Sequence, residues 1–139
     1  MKSRAGRSRL VWPAALAALV VIAGTIGRWG SDGAITVNGV DTGDGKIILG
    51  VGIVSLLLIL GGHLAGSTWA FFVPTIGGAF SAVISILDLS DFKDAGADVS
   101  WGLYAVIVGS IALTGLALAL LATPSRRGDS VVGDAPLER

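Results

Sequence analysis

Four long apolar runs constrain this chain more than any other feature: Leu10 to Ile26, Ile47 to Ala65, Thr68 to Leu87 and Trp101 to Ala122, each 17 to 22 residues with almost no charge inside. A helix rises about 1.5 Å per residue and a bilayer core is about 30 Å thick, so about 20 residues make one crossing. Hydrocarbon offers backbone amides no partner, which makes each crossing a helix rather than an isolated strand. The expected fold is all-α integral membrane, a four-transmembrane-helix bundle with spans near 10–29, 47–65, 68–87 and 101–122 inside a domain of residues 1–123. Composition agrees, since 139 residues that are 53% hydrophobic and 14% charged carry more apolar surface than a soluble domain of this size hides.

Charge then orients the spans, because Lys and Arg near helix ends are retained on the cytoplasmic side. Lys2, Arg4, Arg7 and Arg9 precede the first run, and Arg126 and Arg127 follow the last. With both ends placed inside, Arg139, Asp129, Asp134 and Glu138 join them and that side carries +4. The two long loops hold Arg28, Lys46 and Lys93 against seven aspartates and carry −4. A multi-pass protein of the cell (plasma) membrane with cytoplasmic N- and C-termini is expected. Trp12, Trp29, Trp69 and Trp101 fall at predicted helix ends in the order inside, outside, inside, outside, where indole rings favour the headgroup level. Tyr104 joins the outer belt.

The basic start of "MKSRAGRSR" also resembles a signal peptide. The apolar run exceeds the usual h-region, however, and its one A-x-A before Trp29, at Ala15 to Ala17, lies near the start of the run, so a retained anchor is expected. There is no cysteine, which removes disulfides and thiolate chemistry from consideration. The segment "PSRRGDSVVGDAPLER", residues 124–139, begins with a helix-stopping proline and is mixed in charge, which predicts a disordered cytoplasmic tail.

The first outer loop holds "ITVNGVDTGDGK", residues 35–46. Asn38-Gly39 is a strong type I′ turn signal and predicts a small extracytoplasmic β-hairpin between helices 1 and 2. Val37 would then face Val40, and Ile35 would face Thr42, on one apolar face. A lone hairpin is marginal in water. Ile35, Val37, Asn38, Gly39 and Val40 are therefore a candidate partner-contact hairpin whose face packs on the second outer loop with Phe92 and Val99, on the membrane interface, or on another protein. A P-loop would need glycine at Val40 and Ser or Thr at Ile47. An EF-hand from Asp41 would need ligands at Gly43, Gly45 and Gly52. A looser cation site using Asp41 and Asp44 with Asp88, Asp91, Asp94 or Asp98 stays open, beside the simpler reading that acidic outer loops obey the charge rule.

Inside the spans the informative residues are small. Gly62-x-x-x-Gly66 and Gly77-x-x-x-Ser81 are candidate helix-packing positions, because small side chains let backbones approach. They serve either one bundle or an oligomer. Pro74, with Gly77 and Gly78 one turn later, predicts a kink in the third helix. No Asp, Glu, Lys or Arg lies centrally in any run, which argues against a proton relay, a charged pore lining or a voltage sensor. Ser55, Ser81, Ser85, Ser110 and Thr114 would line a narrow path if several copies assembled. His63, the single histidine, is expected to be an interfacial polar residue.

Trp29, then "ITVNGVDTGDGKIILG", then "WGLYAVIVGSIALTG" resembles small uncharacterised four-helix integral membrane proteins of actinobacterial type, over most of residues 28–116. The Ala, Gly, Val and Arg bias is similar to such bacterial chains. The layout is also loosely claudin-like, with four helices and a strand-bearing first outer loop, but without the claudin tryptophan motif and cysteine pair. Architecture of this kind carries no function by itself. The expected role is structural or accessory, through helix packing and outer-loop contacts; the alternative is a small oligomeric channel or transporter component. Expected partners are the lipid bilayer and another membrane protein or a second copy, with no nucleic acid. No catalytic residue, cofactor or metal is expected, and the protein is not expected to be an enzyme.

Overall fold

The computed structural model describes residues 2–123; the predicted tail at 124–139 lies outside them. Four helices make up the fold: α1 (Lys2–Ile26), α2 (Gly43–Ala65), α3 (Phe72–Asp94) and α4 (Trp101–Ala122). Each includes a stretch long and apolar enough to cross a bilayer, and the third such stretch, Trp69–Asp94, gains one turn of 3₁₀ helix, Trp69–Phe71, ahead of α3. The helices form a ring in chain order, with α1 and α3 each packed against both α2 and α4. The α1–α4 contact is the most extensive of the four.

Three strands close one end of this bundle: β1 (Arg28–Asp32), β2 (Ile35–Asn38) and β3 (Asp98–Val99), in the order β2-β1-β3 and antiparallel throughout. The expected hairpin is therefore part of a three-stranded sheet, and its turn lies elsewhere. Asp32 pairs with Ile35 around Gly33-Ala34, and Gly33 has φ +57°, as the first central residue of a primed two-residue turn requires. Asn38-Gly39 is no turn of a hairpin, and Gly39 is not among the glycines with positive φ. Instead Asn38 donates from its backbone N–H and its Nδ2 to Asp41 Oδ2, at 3.2 and 3.1 Å, opening a 3₁₀ turn over Gly39–Asp41. Val37 pairs with Gly30 rather than Val40, and Ile35 with Asp32 rather than Thr42.

Helix ends follow from local chemistry. Thr42 caps α2, its Oγ1 accepting from Gly45 N–H at 3.0 Å and donating to the Gly39 carbonyl at 2.8 Å. Gly66, φ +65°, ends α2 in a Schellman arrangement, with Ser67 N–H on the Gly62 carbonyl and Gly66 N–H on the His63 carbonyl. Gly96, φ +71°, repeats the device after α3, with Ala97 N–H on the Phe92 carbonyl and Gly96 N–H on that of Lys93. Thus α3 extends about two turns past the predicted end at Leu87, and Asp88, Asp91 and Asp94 stand on helix rather than loop.

Apolar packing concentrates in two places. Near the sheet, Val21, Trp29, Ile48, Leu103 and Val106 are buried, with Phe92 and Val99 packed against them. At the opposite end, Val11, Ala18, Ile59, Phe71, Leu113 and Leu120 form a second buried cluster. Around the outside, large side chains such as Leu57, Val83 and Val108 are exposed, which suits an apolar surrounding solvent better than water.

Candidate functional site

The sheet end is the most specifically built part of the molecule. Expected at the surface belt, Trp29 is instead fully buried at 0% exposure, whereas Trp12, Trp69 and Trp101 are 71%, 82% and 61% exposed. The difference arises because α1 stops at Ile26 rather than at residue 29, and the turn at Gly27 brings Trp29 back over the helix end. There its Nε1–H donates to the Gly24 carbonyl at 3.1 Å. That bond satisfies a carbonyl in the last turn of α1, where no further helical amide follows. The Trp29 carbonyl accepts from Ser100 N–H at 2.8 Å, just ahead of α4. One residue thus joins the end of α1 to the start of α4.

Gly39 belongs to the same assembly. A side chain there would run into the Thr25 carbonyl and the Trp29 indole, so close packing, not a left-handed backbone, demands glycine. Its N–H donates to the Gly27 carbonyl at 3.2 Å. Phe92 lies against Gly30, where a methyl group would come within 2.6 Å of Phe92 Cε1, and β3 brings Val99 opposite Gly30. Phe92 and Val99, one of three expected covers for the Ile35, Val37 and Val40 face, thus both meet Gly30 of β1. Of the candidate contact residues, Ile35 is 69% exposed, Val37, Asn38 and Val40 are half-buried, and Gly39 is buried. Ile35, with its exposed neighbour Thr36, is what β2 leaves available.

The predicted packing glycines separate into two kinds. Gly62 is buried, and a methyl there would strike Ala70 Cβ; Gly66 is the exposed cap of α2. Gly77 faces α2, its hypothetical methyl 2.7 Å from Val51 Cγ1, and Ser81 one turn on is buried. Pro74, the expected kink, occupies the first turn of α3, where a missing N–H has no helical partner to lose, and the helix runs on unbroken to Asp94. A close backbone-to-backbone approach of α1 and α4 uses Gly24 and Gly102. A methyl on Gly24 would lie 2.8 Å from the Gly102 oxygen and 2.9 Å from Val106 N, and one on Gly102 would lie 2.7 Å from the Gly24 oxygen. Gly102 escapes a search for paired small residues because its counterpart is on α1, not on its own helix.

Ser55, Ser81, Ser85 and Ser110 are all buried within this single bundle, with Thr114 half-buried beside them. Their place is the interior of one chain and not a face that copies would share. His63 is exposed in the last turn of α2. Asp88 has Asp44 and Asp91 as like-charged neighbours, and its Oδ2 is buried without a hydrogen-bond partner. Among the described residues no group of three or more His, Asp or Glu side chains is placed to hold a metal ion. On the outer side of α2 and α3 lies an apolar groove of about 450 Å³, floored by Gly50 and Gly77 and walled by Val54, Phe72, Ile76 and Phe80. Comparison with family models, with curated proteins and with solved structures finds no match to this chain.

Proposed function

We propose that the chain is a four-pass protein of a bacterial plasma membrane, both ends cytoplasmic, with a structural or accessory role. It acts through helix packing and through contacts of the sheet-capped outer end rather than by catalysis. The observation that carries this reading is that the bundle fills its own centre: Ile59, Phe71, Leu103, Val106, Leu113 and Leu120 are each at 0% exposure. Conduction or coupled transport needs a continuous path across the membrane, lined by polar groups or exposed carbonyls. The −4 charge of residues 28–46 and 88–98, at the sheet end of the bundle, and the +4 of the chain's two ends support the orientation. Exposed Ile35 on the edge strand β2 and the lipid-facing helix surfaces are the faces offered to partners.

A second reading, a small oligomeric channel or transporter component, draws on the glycine-floored groove between α2 and α3, a shape into which a helix of another copy fits. Ion and solute flux into liposomes holding purified protein separates the two. The accessory role expects no selective flux and a specific protein co-purifying from gently solubilised membranes. Reproducible selective flux, abolished by Gly77→Leu in the groove floor, would overturn it.

A further inference from the structure

Hydroxyls on helices ordinarily satisfy themselves on the carbonyl four residues back. Here Thr25, Thr75, Ser85, Ser90, Thr114 and Thr123 all do so, at 2.7 to 3.3 Å. Three serines do not. Ser55, Ser81 and Ser110 are at most 1% exposed, and the Oγ of each has no hydrogen-bond partner within the protein.

These three come from three different helices and lie along the same stretch of α3. Ser55 Oγ on α2 lies 3.8 Å from the place a methyl group on Gly77 would take, and the Ser110 carbonyl on α4 lies 3.1 Å from the equivalent place on Gly78. Gly77 and Gly78 are consecutive on α3, so that helix touches Ser55 with one and Ser110 with the other. Ser81 follows four residues after Gly77 and three after Gly78, which places it on the same side of α3 about 6 Å farther along at 1.5 Å per residue. All three helices are near their midpoints here, about 9 to 12 residues from their first residue, midway between the two apolar clusters.

An unpaired hydroxyl in an apolar interior costs free energy, and three in one place cost it three times over. A buried water ordinarily makes about three hydrogen bonds to otherwise unsatisfied groups, with two to four as the range. We propose that Ser55, Ser81 and Ser110 form an internal water-binding site at mid-depth in the bundle, shared by α2, α3 and α4. The site ties three helices together through a solvent molecule where glycines, rather than large side chains, form the contacts. It adds directional polar bonds to a region whose remaining packing is non-directional. This site belongs to one chain and stands whichever reading of the protein's role holds.

A crystal structure of the whole protein grown from a lipidic phase, at a resolution that shows ordered water, tests the site directly. Expected is solvent density about 2.6–3.2 Å from Ser81 Oγ and from at least one of Ser55 Oγ and Ser110 Oγ. Hydroxyls turned back onto the carbonyls of Val51, Gly77 and Val106, or no density at the junction, would overturn the proposal. Thermal unfolding in nanodiscs provides a second measurement. Ser55→Ala, Ser81→Ala and Ser110→Ala should each lower the midpoint by several degrees, and the triple variant should lose less than the three losses added, because the first removal already breaks the shared network. Midpoints equal to or above the parent for all three single variants would overturn it, since deleting a dry, unpaired hydroxyl relieves a penalty instead of creating one.

Discussion

The same glycine-to-alanine change should have opposite signs at Gly24 and at Gly115. A methyl on Gly24 would stand 2.8 Å from the Gly102 oxygen, 2.9 Å from Val106 N and 3.0 Å from Ala105 Cβ. Comfortable contact is about 3.5–4.0 Å, and two of those three atoms are α4 backbone, which has no rotamer to change. Overpacking of this kind costs about 1–3 kcal/mol, offset by the roughly 0.5–1 kcal/mol by which alanine outranks glycine inside a helix. Gly24→Ala should therefore lose about 1–2 kcal/mol, or about 4–8 °C in thermal midpoint for a chain of this size. Gly115 has nothing within 4 Å of its hypothetical methyl. Gly115→Ala should gain about 0.5–1 kcal/mol, or about 2–4 °C. Thermal unfolding followed by circular dichroism, with both variants and the parent in one nanodisc preparation, reads the two signs. A Gly24→Ala variant as stable as the parent would refute the close α1–α4 approach. A Gly115→Ala variant as damaged as Gly24→Ala would refute the bare outer face of α4.

Trp29→Ala should cost about 3–5 kcal/mol, as for other fully buried aromatics, and Trp29→Phe about 1–2 kcal/mol because the Gly24 carbonyl loses its donor; equal stability of parent and Trp29→Ala in the same unfolding assay would contradict the buried placement. Gly33→Val should loosen the sheet through its φ of +57°, with Gly33→Asn much milder. Gly39→Val should also loosen it, by collision with Trp29 and the Thr25 carbonyl. Amide exchange in β1 and β2 checks both, and an undisturbed Gly33→Val would remove the turn from Gly33-Ala34. Single cysteines at positions 40 and 94 should be labelled by an impermeant reagent from outside intact cells, and those at 4, 66 and 130 should be protected; labelling at 4 or 130, or protection at both 40 and 94, rules out the proposed topology.

Helix number was legible because a bilayer imposes a length, and runs of 17 to 22 apolar residues meet it regardless of detail. Where polarity changes, legibility fell. The last turns of α3 carry Asp88, Asp91, Lys93 and Asp94, which ended the apolar run, yet Leu89 and Phe92 between them turn inward onto the sheet-end cluster and keep the helix going. Asn38-Gly39 carried the stronger turn signature, but Gly39 is glycine for closeness to Trp29, a tertiary demand that looks identical to a turn demand in one dimension. The indole of Trp29 was read by its position near a helix end, a rule about lipid headgroups that does not apply once the chain doubles back. The buried serines were visible as residues but not as a cluster, since their height relative to one another depends on how α2, α3 and α4 are staggered.

The pairing of β1 with β3 joins segments about 70 residues apart, so it cannot form until the second helical hairpin is beside the first. During synthesis α1 and α2 are complete while the second edge of β1 is still open and Trp29 lacks the α4 residues that cover it. Closing the sheet is thus a record of completed assembly: a chain that stops after two helices leaves β1 with an unpaired edge and the Trp29 indole uncovered, the kind of surface that quality-control proteases and chaperones act upon.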